Sequence, residues 1–165
     1  MHSHFEIDKL DLDILSILME NAQTPYTDIA KRLGVSGGTI HVRMKKLTDH
    51  KLVKGSHLEI DPHLLGYDIS AFVGIYLEKG SRYNDAAIRL SEIPEITEIH
   101  YITGSYSILL KIVCRNTKDL RHVLNDKIQP IEGVARTETF ISLEETLVRP
   151  LNLLRDRDKF ASVEE

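Results

Sequence analysis

Between Tyr26 and Leu47 the chain reads YTDIAKRLGVSGGTIHVRMKKL, and Lys31, Arg32, Arg43, Lys45 and Lys46 fall within this one stretch. Ammonium and guanidinium groups at this density suit one kind of chemistry: they neutralise phosphates and displace the counterions of a polyanion. Residues 31 to 57 hold seven Lys and Arg against Asp49 alone, whereas residues 61 to 165 hold 13 against 17 carboxylates. A basic block beside an acidic remainder is expected when one part meets a polyanion and the other does not. Charge alone fits a solvated basic surface equally well, so the spacing of the apolar residues has to decide.

Those apolar residues predict three helices. Leu10, Ile14, Ile17 and Leu18 form one stripe, with Asp8 as its cap and Asp11 and Asp13 favouring the positive helix end. After Pro25, Thr27 is the expected cap of a second helix whose inward face is Ile29, Ala30 and Leu33. Gly34 suits the left-handed conformation that ends a helix sharply. Ser36 caps a third helix running to about Asp49, with Ile40, Met44 and Leu47 inward. Small Ala30, turning Gly34 and anchoring Ile40 describe a helix-turn-helix, a device that lays its second helix in a DNA groove. Gly37, Gly38, Thr39, His41, Val42, Arg43, Lys45 and Lys46 then remain outside. Gly38, His41 and Val42 are expected at base edges, and Arg43, Lys45 and Lys46 on phosphates. Gly37 and Gly38 cost helix stability, about 1 kcal/mol each. Either that turn is frayed without purpose or the missing side chains let the backbone approach the groove. Leu52 to Ile60 predicts a small hairpin or a bent extended segment, which would make the unit winged-helix-like.

The remainder alternates strand and helix. Strands are predicted at Ile69–Leu77, Ile96–Thr103, Ile108–Cys114 and Val134–Leu147, with helices at 82–92 and 117–128. The order β-α-β-β-α-β implies a ferredoxin-like α+β sensor: a four-stranded antiparallel sheet with both helices on one face. In the first strand Ile69, Ala71, Val73, Ile75 and Leu77 face one side, and Phe72 and Tyr76 the other. Apolar groups on both sides call for a second cover, and another copy of the sheet would supply it as a two-fold dimer. The expected domains are 1–60 for DNA and 66–150 for sensing and assembly, joined by a 61–65 linker and followed by a 151–165 tail.

The segments LDLDILSILMENAQT, DIAKRLGVSGGTIHVRMKKL, LGYDISAFVGIYL, ITGSYSILLKIVCRN, HVLNDKIQPIEGV and TETFISLEE together resemble the Lrp/AsnC (feast/famine) transcription regulators, most closely the asparagine-responsive branch. The resemblance spans about residues 5–148. It implies a transcription regulator that binds double-stranded DNA and assembles from dimers into tetramers or octamers, with an amino acid bound between sensor domains. The turn Gly104-Ser105-Tyr106-Ser107 then becomes a candidate effector site, joined by Tyr101, Thr103, Gln129, Thr137 and Thr139. Backbone N–H groups and serine hydroxyls there suit a carboxylate, and Gln129 suits a side-chain amide. Members with acidic residues in this turn have ammonium partners that Ser105 and Ser107 do not supply, and Glu98 is a weak substitute. Asparagine is the first expected effector, with methionine or leucine next. Turn composition by itself fits a plain hairpin turn.

At 165 residues with 42% apolar and 28% charged content and net charge −4, the chain is ordinary for a globular protein of one or two domains. No signal-peptide pattern or membrane-length apolar run appears, and the lone Cys114 excludes an intrachain disulfide and suits a reducing cytoplasm. The eight histidines form no metal-ligand set, and no nucleophile–base motif appears, so neither a metal nor an enzymatic role is expected. His2 and His4 lie on a terminus expected to be disordered, and the residues from Arg155 are expected to form a frayed end. An architectural, DNA-wrapping oligomer with little effector response is the competing reading.

Overall fold

The computed structural model describes residues 6–153, so the expectations for His2, His4 and the chain from Arg155 lie outside the described residues. Contacts divide the chain into two compact units, Met1–Leu58 with Val148–Glu165, and Glu59–Leu147. The described Val148–Leu153 segment thus belongs with the first unit, where Leu153 packs on the core. Residues 61–65, expected as linker, belong to the second unit and include a single 3-10 turn, His63–Leu65.

In the first unit, α1 (Lys9–Glu20), α2 (Tyr26–Leu33) and α3 (Gly37–Asp49) surround a core of Ile14, Leu15, Ile29, Ala30, Ile40, Met44 and Leu47. A capping box opens α1: Asp8 accepts from the Asp11 N–H at 2.9 Å, and Asp11 accepts from the Asp8 N–H at 3.3 Å. Helix α2 departs from expectation. It begins at Tyr26 behind Pro25, whose ring sets a φ ready for the first turn, so Thr27 lies inside the helix and is not its cap. Gly34 ends α2 at φ +68°, and Ser36 caps α3 through the Thr39 N–H. The hairpin alternative for Leu52–Ile60 is not realised: the segment carries no strand, leaving the bent extended path.

The second unit holds β1 (Ile69–Leu77), α4 (Tyr83–Ser91), β2 (Ile96–Tyr101), β3 (Ile108–Cys114), α5 (Thr117–His122) and β4 (Val134–Ile141). The sheet order is β2-β3-β1-β4, all antiparallel. Ala71, Val73, Ile75, Ile108, Leu110 and Ile112 share one core with Ala86 and Leu90 of α4 and Leu120 of α5. Both helices therefore cover the same sheet face. Cys114 is buried at its edge, and burial, helped by the nearby Glu95 charge, pushes its thiol up to about 11. The last strand stops at Ile141 and not at Leu147, and β2 stops at Tyr101.

The second sensor helix is also not one uniform α-helix. After His122 it widens into a π-helical segment, Val123–Ile128, closed by the Gln129 N–H donating to the Leu124 carbonyl at 2.9 Å. Leu120, Val123, Leu124 and Ile128 still face one core, and Lys127 beside them pairs with Glu95 at 2.6 Å.

Candidate nucleic-acid and effector sites

Helix α3 is held from beneath by Ile40, Met44 and Leu47, of which Ile40 and Leu47 are fully buried. The opposite side presents Gly38, His41, Val42 and Lys45 to solvent, with Val42 69% exposed. An exposed valine on such a helix suits contact with a thymine methyl. Thr39 is half-buried, its hydroxyl 2.9 Å from Ser36 Oγ, so the cap shares it. A Cβ on Gly37 would meet nothing within 4 Å, and one on Gly38 only Ser36 Oγ at 3.6 Å. The unit's own packing therefore requires neither glycine.

Two of the three residues expected on phosphates, Arg43 and Lys46, are paired with groups of their own chain. Arg43 Nη1 donates to Asp8 Oδ2 and, at 3.2 Å, to Asp11 Oδ1. Lys46 Nζ lies 3.5 Å from Asp11 Oδ2 and donates to the Glu6 carbonyl at 2.7 Å. Asp11 is fully buried. Burial works to raise the Asp8 carboxyl, but the Asp11 N–H, the Arg43 guanidinium and the Lys46 charge outweigh it and hold it below the ordinary value. Arg43 is raised in turn, first by its bond to Asp8. Lys45 is exposed, and like Arg32, Lys51 and Lys54 it has no carboxylate partner among the described residues.

Sequence reasoning did not assign these partners. Asp11 lies three residues before Ile14 and four before Leu15 on the buried stripe of α1, a spacing that could have flagged it. Tyr26 of α2 was also missed. Its ring meets His41 edge-on with centroids 4.8 Å apart, which steadies the imidazole on the outward side of α3.

The expected effector residues are spread along one end of the sensor sheet. Tyr101, Ile108, Ile75 and Thr137 form a single cross-strand row. Tyr101 ends that row on edge strand β2 and stacks on Tyr83 at 4.1 Å. Thr137 ends it on edge strand β4, and Thr139 follows on the same face opposite Val73. Three strand spacings put the two ends roughly 14 Å apart. That is longer than one free amino acid, and among the described residues no contact joins Tyr101 to either threonine. Gln129 sits just after the π segment.

The turn between β2 and β3 has mixed availability. Gly104 has φ +115°, a conformation that side chains resist. The Ser107 N–H is spent on the Ile75 carbonyl at 2.9 Å, and its own carbonyl accepts from Ile102 at 3.2 Å. The N–H groups of Gly104, Ser105 and Tyr106 have no partner among the described residues. Tyr106 turns away to the uncovered sheet face. Its ring lies on Gly74, where an added Cβ would fall 2.5 Å from Tyr106 Cδ1. Its hydroxyl donates to Glu138 Oε2 at 2.7 Å. Tyr76 donates to the other oxygen at 3.2 Å, and Arg136 lies 3.3 Å from it. The Tyr106 bond comes first among the influences that lower Glu138, and the same bond comes first in pushing Tyr106 up to about 12. Glu98, considered for an ammonium, is engaged by His100 at 3.1 Å and Lys111 at 3.8 Å. Phe72 and Phe140 lie directly opposite each other on this face, 39% and 50% exposed.

Among the described residues no group of His, Cys, Asp and Glu could hold a metal ion, and no helix is long and apolar enough to cross a membrane. A helix-turn-helix with a basic outward face, followed by a four-stranded α+β unit, defines a DNA-binding regulator with an attached sensor. Family models agree: an AsnC-type helix-turn-helix domain matches residues 7–48, and the Lrp/AsnC ligand-binding domain matches 70–151. The chain belongs to the Lrp/AsnC family of transcription regulators. It is 43% identical to the regulatory protein AsnC of Escherichia coli over 90% of this chain and 97% of that one. It is 36% identical to the HTH-type transcriptional regulator FL11 of Pyrococcus furiosus, over 84% and 90% of the two chains. The structure of E. coli AsnC superposes with a TM-score of 0.84 over 88% of this chain and 97% of that one. The feast or famine regulatory protein Rv3291c of M. tuberculosis, complexed with L-methionine, superposes with a TM-score of 0.82 at 25% identity, over 88% and 98%.

Proposed function

We propose that this regulator answers to a free amino acid, asparagine first and methionine or leucine next, and that it works in the cytoplasm as a homodimer assembled further into tetramers or octamers. The division of labour follows the two units, with the first reading DNA and the second sensing and assembling. Gly38, His41 and Val42 approach base edges, with Gly37 and Thr39 beside them on the DNA-facing turn, and Lys45 meets the backbone.

The observation that carries the effector reading is the cross-strand row with Tyr101 at one end and Thr137 at the other. A ligand that needs residues from both ends must draw them from two copies of the chain. The unpaired N–H groups of Gly104, Ser105 and Tyr106 suit its carboxylate, and Gln129 its side-chain amide. An amino acid held between copies favours one arrangement of subunits over another and so changes the spacing of the α3 helices. Phe72 and Phe140 give a second sheet an apolar surface to cover.

Calorimetric titration of the full chain with each of the twenty amino acids tests the effector. Binding to a duplex selected from a random pool and to random DNA, at matched salt, is then measured with and without asparagine. Heat with asparagine and a change in affinity for the selected duplex are expected. No heat with any amino acid, together with equal affinity for both duplexes, would favour the architectural DNA-wrapping role.

A further inference from the structure

The two innermost cations of α3 are paired with carboxylates at the start of α1. We propose that Arg43 and Lys46 form, with Asp8 and the fully buried Asp11, an internal latch that fixes α3 against the start of α1, and that Asp11 is a positioning residue for DNA recognition. The backbone-contacting charge then falls to cations that the latch does not use, Lys45 foremost.

Three observations carry this. Asp11 has no exposed surface, yet a charged carboxylate is rarely buried unless partners surround it. Its partners come from α3: Arg43 at 3.2 Å and Lys46 at 3.5 Å, one helical turn apart on the side facing α1. The latch is also tied to the backbone at both ends. Asp8 and Asp11 are the capping box of α1, and Lys46 reaches the Glu6 carbonyl. A guanidinium shared by two carboxylates has little net charge to offer a phosphate, and using it there would leave Asp11 buried with one partner fewer. Its geometric effect is larger. Ile40, Met44 and Leu47 resist lifting of α3 but allow it to roll, as apolar contacts are non-directional. A bridging Arg43 resists roll, and roll decides which side chains meet base edges.

The test uses the full-length chain, a duplex selected from a random pool by the wild type, and random-sequence DNA, at several salt concentrations. Circular dichroism verifies the fold of each variant. Lys45→Gln should reduce the slope of log affinity against log salt by about 0.9 per bound subunit. Arg43→Gln should leave that slope unchanged while cutting the preference for the selected duplex about tenfold. Asp11→Asn, which adds one positive charge to the unit, should likewise lower that preference. Should Arg43→Gln fail to fold, Asp11→Asn decides alone through the ratio of affinities for the two duplexes, because a general gain from the added positive charge leaves that ratio unchanged. A slope loss in Arg43→Gln equal to that of Lys45→Gln, or an unchanged preference for the selected duplex in Asp11→Asn, would overturn the proposal.

Discussion

Arg43 in the first unit and Tyr106 in the second were both expected to face a ligand, and both are instead engaged by carboxylates of their own chain. The settings differ. Arg43 serves a carboxylate with no exposed surface, whereas Tyr106 serves Glu138 on an uncovered sheet face. In the first case the ion pair is built into the fold, and removing a partner strands a buried charge. In the second, the carboxylate is partly exposed and shared by Tyr106, Tyr76 and Arg136, so removing one partner leaves others in place. The first setting thus depends on a buried acid, the second on a surface network.

The sharpest way to break this contrast is Arg43→Met. It leaves Asp11 buried with Lys46 as its remaining cation, and the loss should fall toward the lower end of about 3–5 kcal/mol in denaturant unfolding. An effect as small as that of an exposed ion pair would show that Asp11 rehydrates and that the settings are not distinct. Gly74→Ala attacks the other cluster. The new methyl must displace the Tyr106 ring and so disturb its bond to Glu138. Retention of Tyr106 on Glu138 in a structure of this variant would refute the close packing inferred for Gly74.

Two titrations separate the clusters further. Asp8 is depressed in the fold, so its contribution is full above the ordinary aspartate value and disappears as pH falls through the folded one. The unfolding midpoint of the wild type should drop below about pH 4, and Asp8→Asn should flatten that drop. Tyr106 moves the opposite way. Its folded value of about 12 lies above the ordinary 10.0, so its contribution is complete below 10 and lost as pH rises toward 12. Tyrosinate absorbance should show a last-titrating tyrosine, and Glu138→Gln should return it to the ordinary range. Unchanged titration in Glu138→Gln would remove Glu138 as the cause.

What the sequence made legible was periodicity and punctuation. The stripe Ile40, Met44 and Leu47, the cap at Ser36 and the turn at Gly34 all follow from local rules, and all recur in the fold. What it hid were pairings across distance. Asp11 was read only through the helix dipole because a first-turn carboxylate usually faces water, and Arg43 lies 32 residues away. The π segment was not legible, because Leu124 and Ile128 keep a four-residue spacing that an α-helix also satisfies, and the Gln129-to-Leu124 bond is what reveals it. The effector residues came from resemblance. That Tyr101 and Thr137 end the same row depends on strand register, which no single strand reveals.

The smallest effect decides the question left open at Gly37 and Gly38. Neither glycine has a positive φ, and neither site lacks room for a methyl. Alanine at each position should therefore stabilise the first turn of α3, by up to about 1 kcal/mol per site. If the turn is merely frayed, Gly37→Ala and Gly38→Ala raise the unfolding midpoint and leave DNA affinity alone or improve it. If the backbone must approach the groove closely, the same variants are more stable yet bind the selected duplex more weakly, with less change toward random DNA. Stability and affinity moving in opposite directions would mark the pair as part of the recognition surface, because greater order in the helix cannot by itself weaken its binding.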